Sequence, residues 1–272
     1  MKLTYLGTAA AEGFPAVFCN CKYCVEARRL KGKNIRTRSQ SIVNDDLLID
    51  LPADTYHHFL TNDIDGYKIK YLLVTHSHQD HLYLDELKMR HSPYAHEMEA
   101  EKLDVYCGRG AYDKITANGP IENVSVTLLE AYKTTVVGDY EITPLPARHY
   151  KGDGAFIYLI SANNKTVLYA HDTGYFYDEV IAYLKDNNIK LDMISFDCTN
   201  IDLPIPDDGS HMGLDNIERL TRVLVENGNI TASTVKYINH FSHNANPTHH
   251  ILEKRAENMG INVSFDGCVV TV

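Results

Sequence analysis

The segment Thr75-His76-Ser77-His78-Gln79-Asp80-His81 carries more information than any other part of this sequence. It follows the apolar run Lys70-Tyr71-Leu72-Leu73-Val74, which predicts a buried strand. Neutral imidazole is the commonest side-chain ligand of divalent transition metals, and carboxylate is a harder ligand that accompanies it. A tight loop at a strand end can direct the first two histidines towards one ion, and the final aspartate and histidine towards a second. The spacing therefore predicts a dinuclear metal site.

Three cysteines form a second group of candidate ligands in the stretch Cys19-Asn20-Cys21-Lys22-Tyr23-Cys24. Thiols this close together cannot easily pair with each other without strain. Three thiolates around one point suit tetrahedral zinc, so the spacing predicts a zinc site. The remaining cysteines lie singly in apolar, strand-like runs and are expected to be buried free thiols: Cys107, Cys198 and Cys268.

Composition and charge limit the classes of protein to which the chain can belong. Its 272 residues are 44% hydrophobic and 23% charged, an ordinary globular composition that excludes a fibrous or disordered protein. No apolar stretch approaches the ~20 residues needed to cross a bilayer, and the first residues do not resemble a signal peptide, so we expect a cytoplasmic protein with no membrane partner. The net charge of −10 disfavours nucleic acid as a partner, because no block of lysine and arginine is visible.

The hydrophobic pattern predicts many strands and three late helices. Apolar segments predict strands at 2–6, 41–43, 47–51, 69–75, 103–107, 124–128, 134–137, 140–145, 155–161, 165–170, 191–197, 234–238, 261–265 and 268–272. Helical spacing predicts helices at 176–187, 213–226 and 247–259, the last opening at Pro247. We expect the early strands to pair in sequential antiparallel runs and the late strands to alternate with helices. This order predicts an α+β protein, a four-layer αββα sandwich, in a single domain over residues 1–272.

The segment 75–81 resembles the signature of the metallo-β-lactamase superfamily, whose αββα fold supplies further ligands at later strand ends. The matching elements here are Pro146-Ala147-Arg148-His149, Leu168-Tyr169-Ala170-His171-Asp172-Thr173-Gly174 and Val235-Lys236-Tyr237-Ile238-Asn239-His240. The resemblance implies two groups of ligands with a shared bridge: His76, His78 and His149 for one ion, Asp80, His81 and His240 for the other, and Asp172 between them. His171 is expected to take no part, because adjacent residues of an extended segment face opposite ways.

The cysteine cluster indicates which branch of the superfamily the sequence resembles. Together with His240-Phe241-Ser242-His243 it resembles a smaller branch of the superfamily, the PhnP-type cyclic-phosphate phosphodiesterases of phosphonate degradation. The resemblance implies a structural zinc with four ligands: Cys19, Cys21, Cys24 and His243. It also implies a catalytic histidine at His211, in the loop that runs from Asp208 to Asn216. The long segment 82–105 departs from the family pattern beside the expected cleft, and it leaves the natural substrate open.

The reaction implied by this resemblance is hydrolysis of a small cyclic phosphodiester, such as a ribose cyclic phosphate, by a hydroxide that bridges two divalent ions. Asp80 is expected to orient the hydroxide and His211 to protonate the leaving oxygen. Arg148 and Lys151 flank His149 and are candidates to contact a second phosphate of this small phosphorylated substrate. Mn²⁺, Zn²⁺ and Fe all suit the ligands, and the sequence does not determine the oligomeric state, a homodimer included.

Three alternatives share part of the pattern. A tRNA 3′-processing endonuclease has the same metal motif, although this sequence shows no basic protruding arm for tRNA. A PqqB-like, non-catalytic accessory or carrier protein shares the early cysteine cluster. A thioester or lactone hydrolase is a third alternative, but it has no evident use for the cysteine cluster.

Six further histidines are expected to be surface residues rather than ligands. They are His91 and His96 in the long segment 82–105, and the adjacent pairs His57-His58 and His249-His250 on predicted helices.

Overall fold

The computed structural model describes residues 1–117, 119–245 and 248–272. Fourteen strands form in these residues: β1 (Lys2–Gly7), β2 (Gln40–Val43), β3 (Leu47–Ile49), β4 (Tyr71–Val74), β5 (Leu103–Cys107), β6 (Val124–Leu128), β7 (Thr135–Val137), β8 (Tyr140–Pro146), β9 (Phe156–Ala162), β10 (Lys165–Ala170), β11 (Met193–Asp197), β12 (Val235–Asn239), β13 (Asn262–Val263) and β14 (Cys268–Thr271). Seven α-helices accompany them in the same residues: α1 (Lys22–Leu30), α2 (Thr55–Thr61), α3 (Leu84–Lys88), α4 (Arg109–Thr116), α5 (Asp178–Asp186), α6 (Leu214–Glu226) and α7 (His249–Glu257). Helix α7 corresponds to the helix predicted at 247–259, of which Pro247 lies outside the described residues.

The strands form two seven-stranded mixed sheets. The first has the order β14-β1-β2-β3-β4-β5-β6, and the second has the order β13-β12-β11-β10-β9-β8-β7. In the first sheet the strands from β14 to β3 are antiparallel and those from β3 to β6 are parallel. In the second sheet the strands from β7 to β10 are antiparallel and those from β10 to β13 are parallel. Helices flank the sheets, so the predicted α+β sandwich is confirmed.

Apolar clusters between and outside the sheets hold the layers together. The cluster between the sheets contains Tyr5, Tyr158 and Tyr169, all fully buried. The side chains of β4 contribute to two apolar clusters on opposite faces of the sheet. Leu73 packs in the cluster between the sheets, and Leu72 packs in the cluster under the helices of the first sheet. A strand covered on both faces is apolar at every position, which is why its sequence is a continuous apolar run.

The expectation that the early strands pair in antiparallel runs is wrong for β3 to β6. Parallel neighbours need a crossover connection, and α2, α3 and α4 lie in these connections. Helices α3 and α4 escape a search for helical periodicity because they are only five and eight residues long. The parallel arrangement places the carboxyl ends of neighbouring strands side by side, where loops can meet.

The expectation of surface positions is wrong for one histidine of each adjacent pair. His58 on α2 and His249 on α7 are buried, whereas His57 and His250 are exposed. Successive residues of a helix point about 100° apart, so one member of each pair faces the core.

Two smaller expectations concern the cysteines and membrane spans. The three isolated cysteines are free and buried, as predicted: Cys107, Cys198 and Cys268. Across the part of the chain that the structure describes, no helix combines the length and apolar character needed to cross a membrane.

We expect the buried His58 to make the fold sensitive to mild acid. Its Nδ1 lies 2.6 Å from Oε1 of Gln40 and its Nε2 lies 2.6 Å from Oγ1 of Thr37. Burial lowers the pKa of His58 from 6.5 to about 4. The unfolded chain therefore binds a proton at a higher pH than the folded chain, and stability is lost as the pH falls through this window. Between pH 7 and pH 5 the loss should be about 2 kcal/mol.

The measurement is the free energy of unfolding in urea at both pH values. In His58→Gln the side chain cannot be protonated, so the difference between the two pH values should shrink by about 2 kcal/mol. His57→Gln changes the exposed neighbour and should leave the difference as it is. Equal pH dependence in the two variants would show that His58 does not cause it.

Candidate metal centre

The metal ligands predicted from the sequence converge at the carboxyl ends of four strands. His76, His78, Asp80 and His81 follow β4, His149 follows β8, Asp172 follows β10, and His240 follows β12. The ligand atoms fall into two groups, each with its members within 4.8 Å of one another: His76, His78 and His149 in one, and Asp80, His81, Asp172 and His240 in the other. The structure thus brings together all seven side chains.

Asp172 lies between the two groups. Its Oδ2 is 3.1 Å from Nε2 of His240 and 3.8 Å from Nε2 of His76, and it also contacts Nε2 of His81. Its Oδ1 is 3.8 Å from Nδ1 of His149. One carboxylate therefore faces ligands of both groups, which is the placement that a bridging ligand requires.

Buried nitrogen atoms indicate what the centre can hold. Among the described residues, Nε2 of His76 is buried and has no hydrogen-bond partner, while the buried Nε2 atoms of His81 and His240 lie against Oδ2 of Asp172. An unpaired polar atom in the interior costs about 1–3 kcal/mol, whereas a metal ion can bind the lone pair of an imidazole nitrogen. Imidazole and carboxylate together suit divalent transition ions. The residues present therefore fit a pair of divalent ions.

The electrostatics of the centre also favours cations. Burial opposes protonation of His81, but the carboxylates of Asp172, Asp50 and Asp80 outweigh it and raise the pKa of His81 well above 6.5. Burial lowers the pKa of His76 well below 6.5, and His81 adds to this effect, so the ring of His76 is neutral and able to bind a metal. Carboxylates that favour a protonated imidazole so strongly also favour a divalent cation at the same place.

A left-handed backbone conformation occurs at three residues around the centre. Asp172 has a φ of 53°, His240 has a φ of 64°, and Asp50, which follows β3, has a φ of 65°. Residues other than glycine adopt this region rarely, and each such conformation costs about 1–3 kcal/mol. Each residue lies at or just beyond a strand end, so the strain accompanies the sharp turn by which the chain leaves the sheet at the metal centre.

Asp50 supports the centre from outside, and the sequence motif does not identify it. Its Oδ2 accepts a hydrogen bond of 2.6 Å from Nδ1 of His81. Its Oδ1 accepts bonds of 2.8 Å and 2.9 Å from the amide and the hydroxyl of Thr75. An outer carboxylate of this kind fixes the tautomer and orientation of a ligating histidine. The available signal is an aspartate directly after the apolar strand β3, but nothing local links it to His81.

His211 lies beside the centre, on the loop that precedes α6. Its Nδ1 is 3.1 Å from Oδ2 of Asp197 and 3.4 Å from Oδ1 of Asp172. Burial opposes the charged form of His211, but Asp197 and then Asp172 outweigh it and raise its pKa to about 9. In these surroundings His211 carries a proton at neutral pH, as a proton donor must.

Asp197, the last residue of β11, is a second residue that the motif does not identify. Its carboxylate accepts hydrogen bonds of 3.1 Å from the amides of Asp172, Thr199 and Met212. Asp197, Asp172, His211 and His240 offer ligand atoms close together. The carboxylate of Asp197 therefore contacts both Nδ1 of His211 and the amide at the turn of Asp172.

The cysteine cluster forms a separate group of ligands: Cys19, Cys21, Cys24 and His243, with ligand atoms within 4.8 Å of one another. Helix α1 begins directly after Cys21, and its first turn carries Cys24. Nδ1 of His243 is 3.4 Å from Sγ of Cys19 and 3.6 Å from Sγ of Cys21. Burial opposes ionisation of Cys21, but the contact with His243 helps to lower its pKa to about 6, which favours the thiolate form. This donor set fits tetrahedral zinc.

The two candidate substrate contacts differ in their surroundings. Arg148 is half-buried, and its Nε donates a hydrogen bond of 2.8 Å to the carbonyl of Tyr175. Its guanidinium lies 4.1 Å from the ring centre of Tyr177. Lys151 is exposed on the same loop. The guanidinium of Arg148 is therefore held against Tyr175 and Tyr177.

Comparison with known proteins agrees with this fold. Residues 51–232 match the model of a family described as the beta-lactamase superfamily domain. The crystal structure of a diphosphatase from the PhnP family has a TM-score of 0.77 at 20% identity, covering 100% of this chain and 97% of the other. Zinc-bound PqqB from Methylobacterium extorquens has a TM-score of 0.69 at 17% identity, covering 100% of both chains. Human tRNase Z, short form, has a TM-score of 0.66 at 13% identity, covering 100% of this chain and 99% of the other. No curated protein sequence matches the chain.

These findings define a class and a family. Two groups of histidine and aspartate ligands, built on the strand ends of this sandwich, are those of a metal-dependent hydrolase. The chain belongs to the metallo-β-lactamase superfamily, because the family match covers more than half of its length. The segment 75–81 predicts the same family, and that prediction is confirmed.

Proposed function

We propose that this chain hydrolyses a small cyclic phosphodiester of the ribose cyclic phosphate kind. The observation that carries the proposal is the position of His211, whose Nδ1 lies 3.1 Å from Asp197 and 3.4 Å from the central Asp172. A phosphodiester needs a proton on its leaving oxygen as the P–O bond breaks, and a protonated histidine beside the centre can supply it. The diphosphatase from the PhnP family that shares this fold also acts on a phosphate compound.

In the reaction that we propose, the oxygen of water adds to phosphorus, the water loses a proton to solvent, and the ring P–O bond breaks. The ribose oxygen that leaves takes the proton of His211. Asp197 holds Nδ1 of that ring, so Nε2 is the nitrogen that donates. Asp80 orients the attacking water through its carboxylate, since it is the more accessible of the two acidic ligands, with 15% of its side chain exposed against 4% for Asp172.

We propose that two divalent ions, Mn²⁺ or Zn²⁺ or Fe, occupy the two ligand groups. When bound, such ions lower the pKa of water and neutralise charge on phosphoryl oxygens. The ligands do not select one metal by chemistry alone, because imidazole and carboxylate accept all three. Metal supply therefore decides which ions are bound.

We propose that the cysteine cluster holds a structural zinc. The loop from His240 to His243 connects this group to the dinuclear centre. The amide of Phe241 donates a hydrogen bond of 3.0 Å to the carbonyl of Thr8, and its carbonyl accepts one of 3.0 Å from the amide of Ala10. Zinc bound to His243 would fix this loop against the N-terminal segment, and so brace His240.

We propose that Arg148, and not Lys151, contacts a second phosphate of the substrate. A fixed guanidinium binds a phosphate with less loss of side-chain freedom than an exposed lysine does. The contact with Tyr177 and the hydrogen bond to Tyr175 supply this rigidity.

A small phosphorylated substrate also suits the overall charge. A chain with a net charge of −10 repels a long polyanion such as tRNA, whereas two ions and one arginine supply enough local positive potential for a small anion. A non-catalytic carrier of the PqqB kind would have no need for a proton donor at His211. We propose phosphonate degradation as the metabolic setting, and neither nucleic acid nor membrane as a partner.

Elemental analysis of protein purified without chelator should find three ions per chain, two in the dinuclear centre and one in the cysteine cluster. Cys21→Ser should remove one zinc and lower the melting temperature, because a structural zinc contributes directly to folding free energy. Cys268→Ala removes a buried thiol elsewhere and should keep all three ions. If Cys21→Ser retains its zinc, the proposed structural site is wrong.

His211→Ala should lower kcat on a ribose cyclic phosphate by about 10²–10⁴-fold, with metal content unchanged, because the leaving alkoxide loses its proton donor. The loss should be much smaller on bis(p-nitrophenyl) phosphate, since nitrophenolate leaves without a proton. His91→Ala, outside the centre, is the control and should match the parent. Equal losses on both substrates, or unchanged turnover with all ions bound, would remove His211 from the role of proton donor.

Arg148→Met should raise KM by about 10–100-fold on a cyclic ribose phosphate that carries a second phosphate, because one charge-assisted hydrogen-bonding group is lost. The same variant should change KM little on the analogue without that phosphate, and kcat should change little on either. Lys151→Met is the matched control on the same loop. If Lys151→Met has the larger effect on KM, the assignment to Arg148 fails.

A further inference from the structure

His171 lies directly before the central Asp172 and is fully buried. Both nitrogens of its ring are used in hydrogen bonds. Nδ1 accepts a bond of 3.1 Å from Nδ2 of Asn239, which leaves the ring hydrogen on Nε2, and Nε2 donates a bond of 2.7 Å to Oγ of Ser195. Among the described residues, His171 belongs to none of the ligand groups. Its bonds therefore serve something other than direct metal binding.

Asn239, like His171, directly precedes a proposed metal ligand in the chain. It is the last residue of β12 and directly precedes His240. The hydrogen bond therefore joins the residue before Asp172 to the residue before His240. Asp172 and His240 themselves both have a positive φ. Because β11 lies between β10 and β12, no backbone ladder connects these two chain ends directly. The side-chain bond makes that connection across the intervening strand.

The surroundings hold both members of this bond in place. The ring of Tyr169 lies 3.9 Å from that of His171, centre to centre. Oγ of Ser195 also accepts a bond of 2.7 Å from the hydroxyl of Tyr5, and Oδ1 of Asn239 accepts one of 2.5 Å from Oγ of Ser264. In a buried interior of low dielectric each of these bonds is costly to lose, so the network holds the two residues in place.

We propose that His171 is a positioning residue that sets the spacing of Asp172 and His240, and through it the affinity of the centre for the ion that these two ligands share. Their facing atoms are 3.1 Å apart. The proposal rests on the metal centre of the proposed function and is independent of the substrate. His171 acts through Asp172 and His240, because it belongs to none of the ligand groups of the described residues.

Two substitutions of His171 test its two hydrogen bonds separately. The side-chain amide of asparagine lies near the position of Nδ1 of a histidine, and that of glutamine lies near the position of Nε2. His171→Asn therefore keeps the bond to Asn239, whereas His171→Gln keeps only the bond to Ser195. Titration of metal-free protein with Mn²⁺, followed by calorimetry, reports on the dinuclear centre alone, because Mn²⁺ prefers oxygen and nitrogen ligands to thiolates.

We expect His171→Gln to weaken one of the two Mn²⁺ binding steps by about tenfold, and His171→Asn to stay within about threefold of the parent. The unfolding free energy of the metal-free protein should fall by similar amounts in both variants, because each loses one buried hydrogen bond. A purely structural role would lower that stability without separating the two Mn²⁺ affinities. That result would overturn the proposal.

Tyr5→Phe is the matched control, because it removes a buried hydroxyl from Ser195 without touching the bond between His171 and Asn239. It should leave both Mn²⁺ steps unchanged, and a tenfold loss in this variant would also overturn the proposal. A different result would show that the proposed function is wrong while the role of His171 is correct. A parent protein that binds two Mn²⁺ ions but does not hydrolyse a ribose cyclic phosphate would contradict the function and leave the role of His171 intact.

Discussion

A buried carboxylate packed among buried imidazoles is the constraint on which this molecule depends. Asp172 is only 3% exposed, and Nε2 of His76, His81 and His240 lies buried around it. Polar and charged groups taken out of water are costly unless something replaces the water. Divalent cations would do so here, because the carboxylate and the imidazoles are both ligands for such ions. We propose that metal binding therefore stabilises this interior as well as supplying its chemistry.

The parallel halves of the two sheets explain how so many polar groups meet at one place. Carboxyl ends of parallel neighbours lie side by side, so a ligand at the end of one strand finds its support at the end of the next. Asp50, after β3, supports His81, which follows the adjacent β4. Asp197, at the end of β11, holds the turn at Asp172, which follows the adjacent β10. Supporting residues of this kind determine ring orientation and tautomer, on which metal affinity depends.

The two metal sites that we propose are mechanically joined through a short loop. His240 and His243 are three residues apart, and Phe241 between them is bonded to the N-terminal segment that leads to the cysteine cluster. A zinc ion at the cysteines would therefore stabilise a ligand of the dinuclear centre as well as its own loop. The strained φ of His240 requires such bracing, because a left-handed residue persists only where its surroundings hold it.

The sequence by itself determined the family, most strand positions and the candidate ligands. Four of the ligands lie within the single segment 75–81, and buried strands are continuous apolar runs, so both signals are local. Only the tertiary structure decided what depends on distant residues. In the tertiary structure β3 to β6 are parallel and connected by short helices, and His58 and His249 are buried. Three contacts between distant residues also form there: Asp50 with His81, Asp197 with His211, and His171 with Asn239. Each of these partners is an ordinary residue in its own segment, and the chain acquires the pairing only when separate strand ends come together.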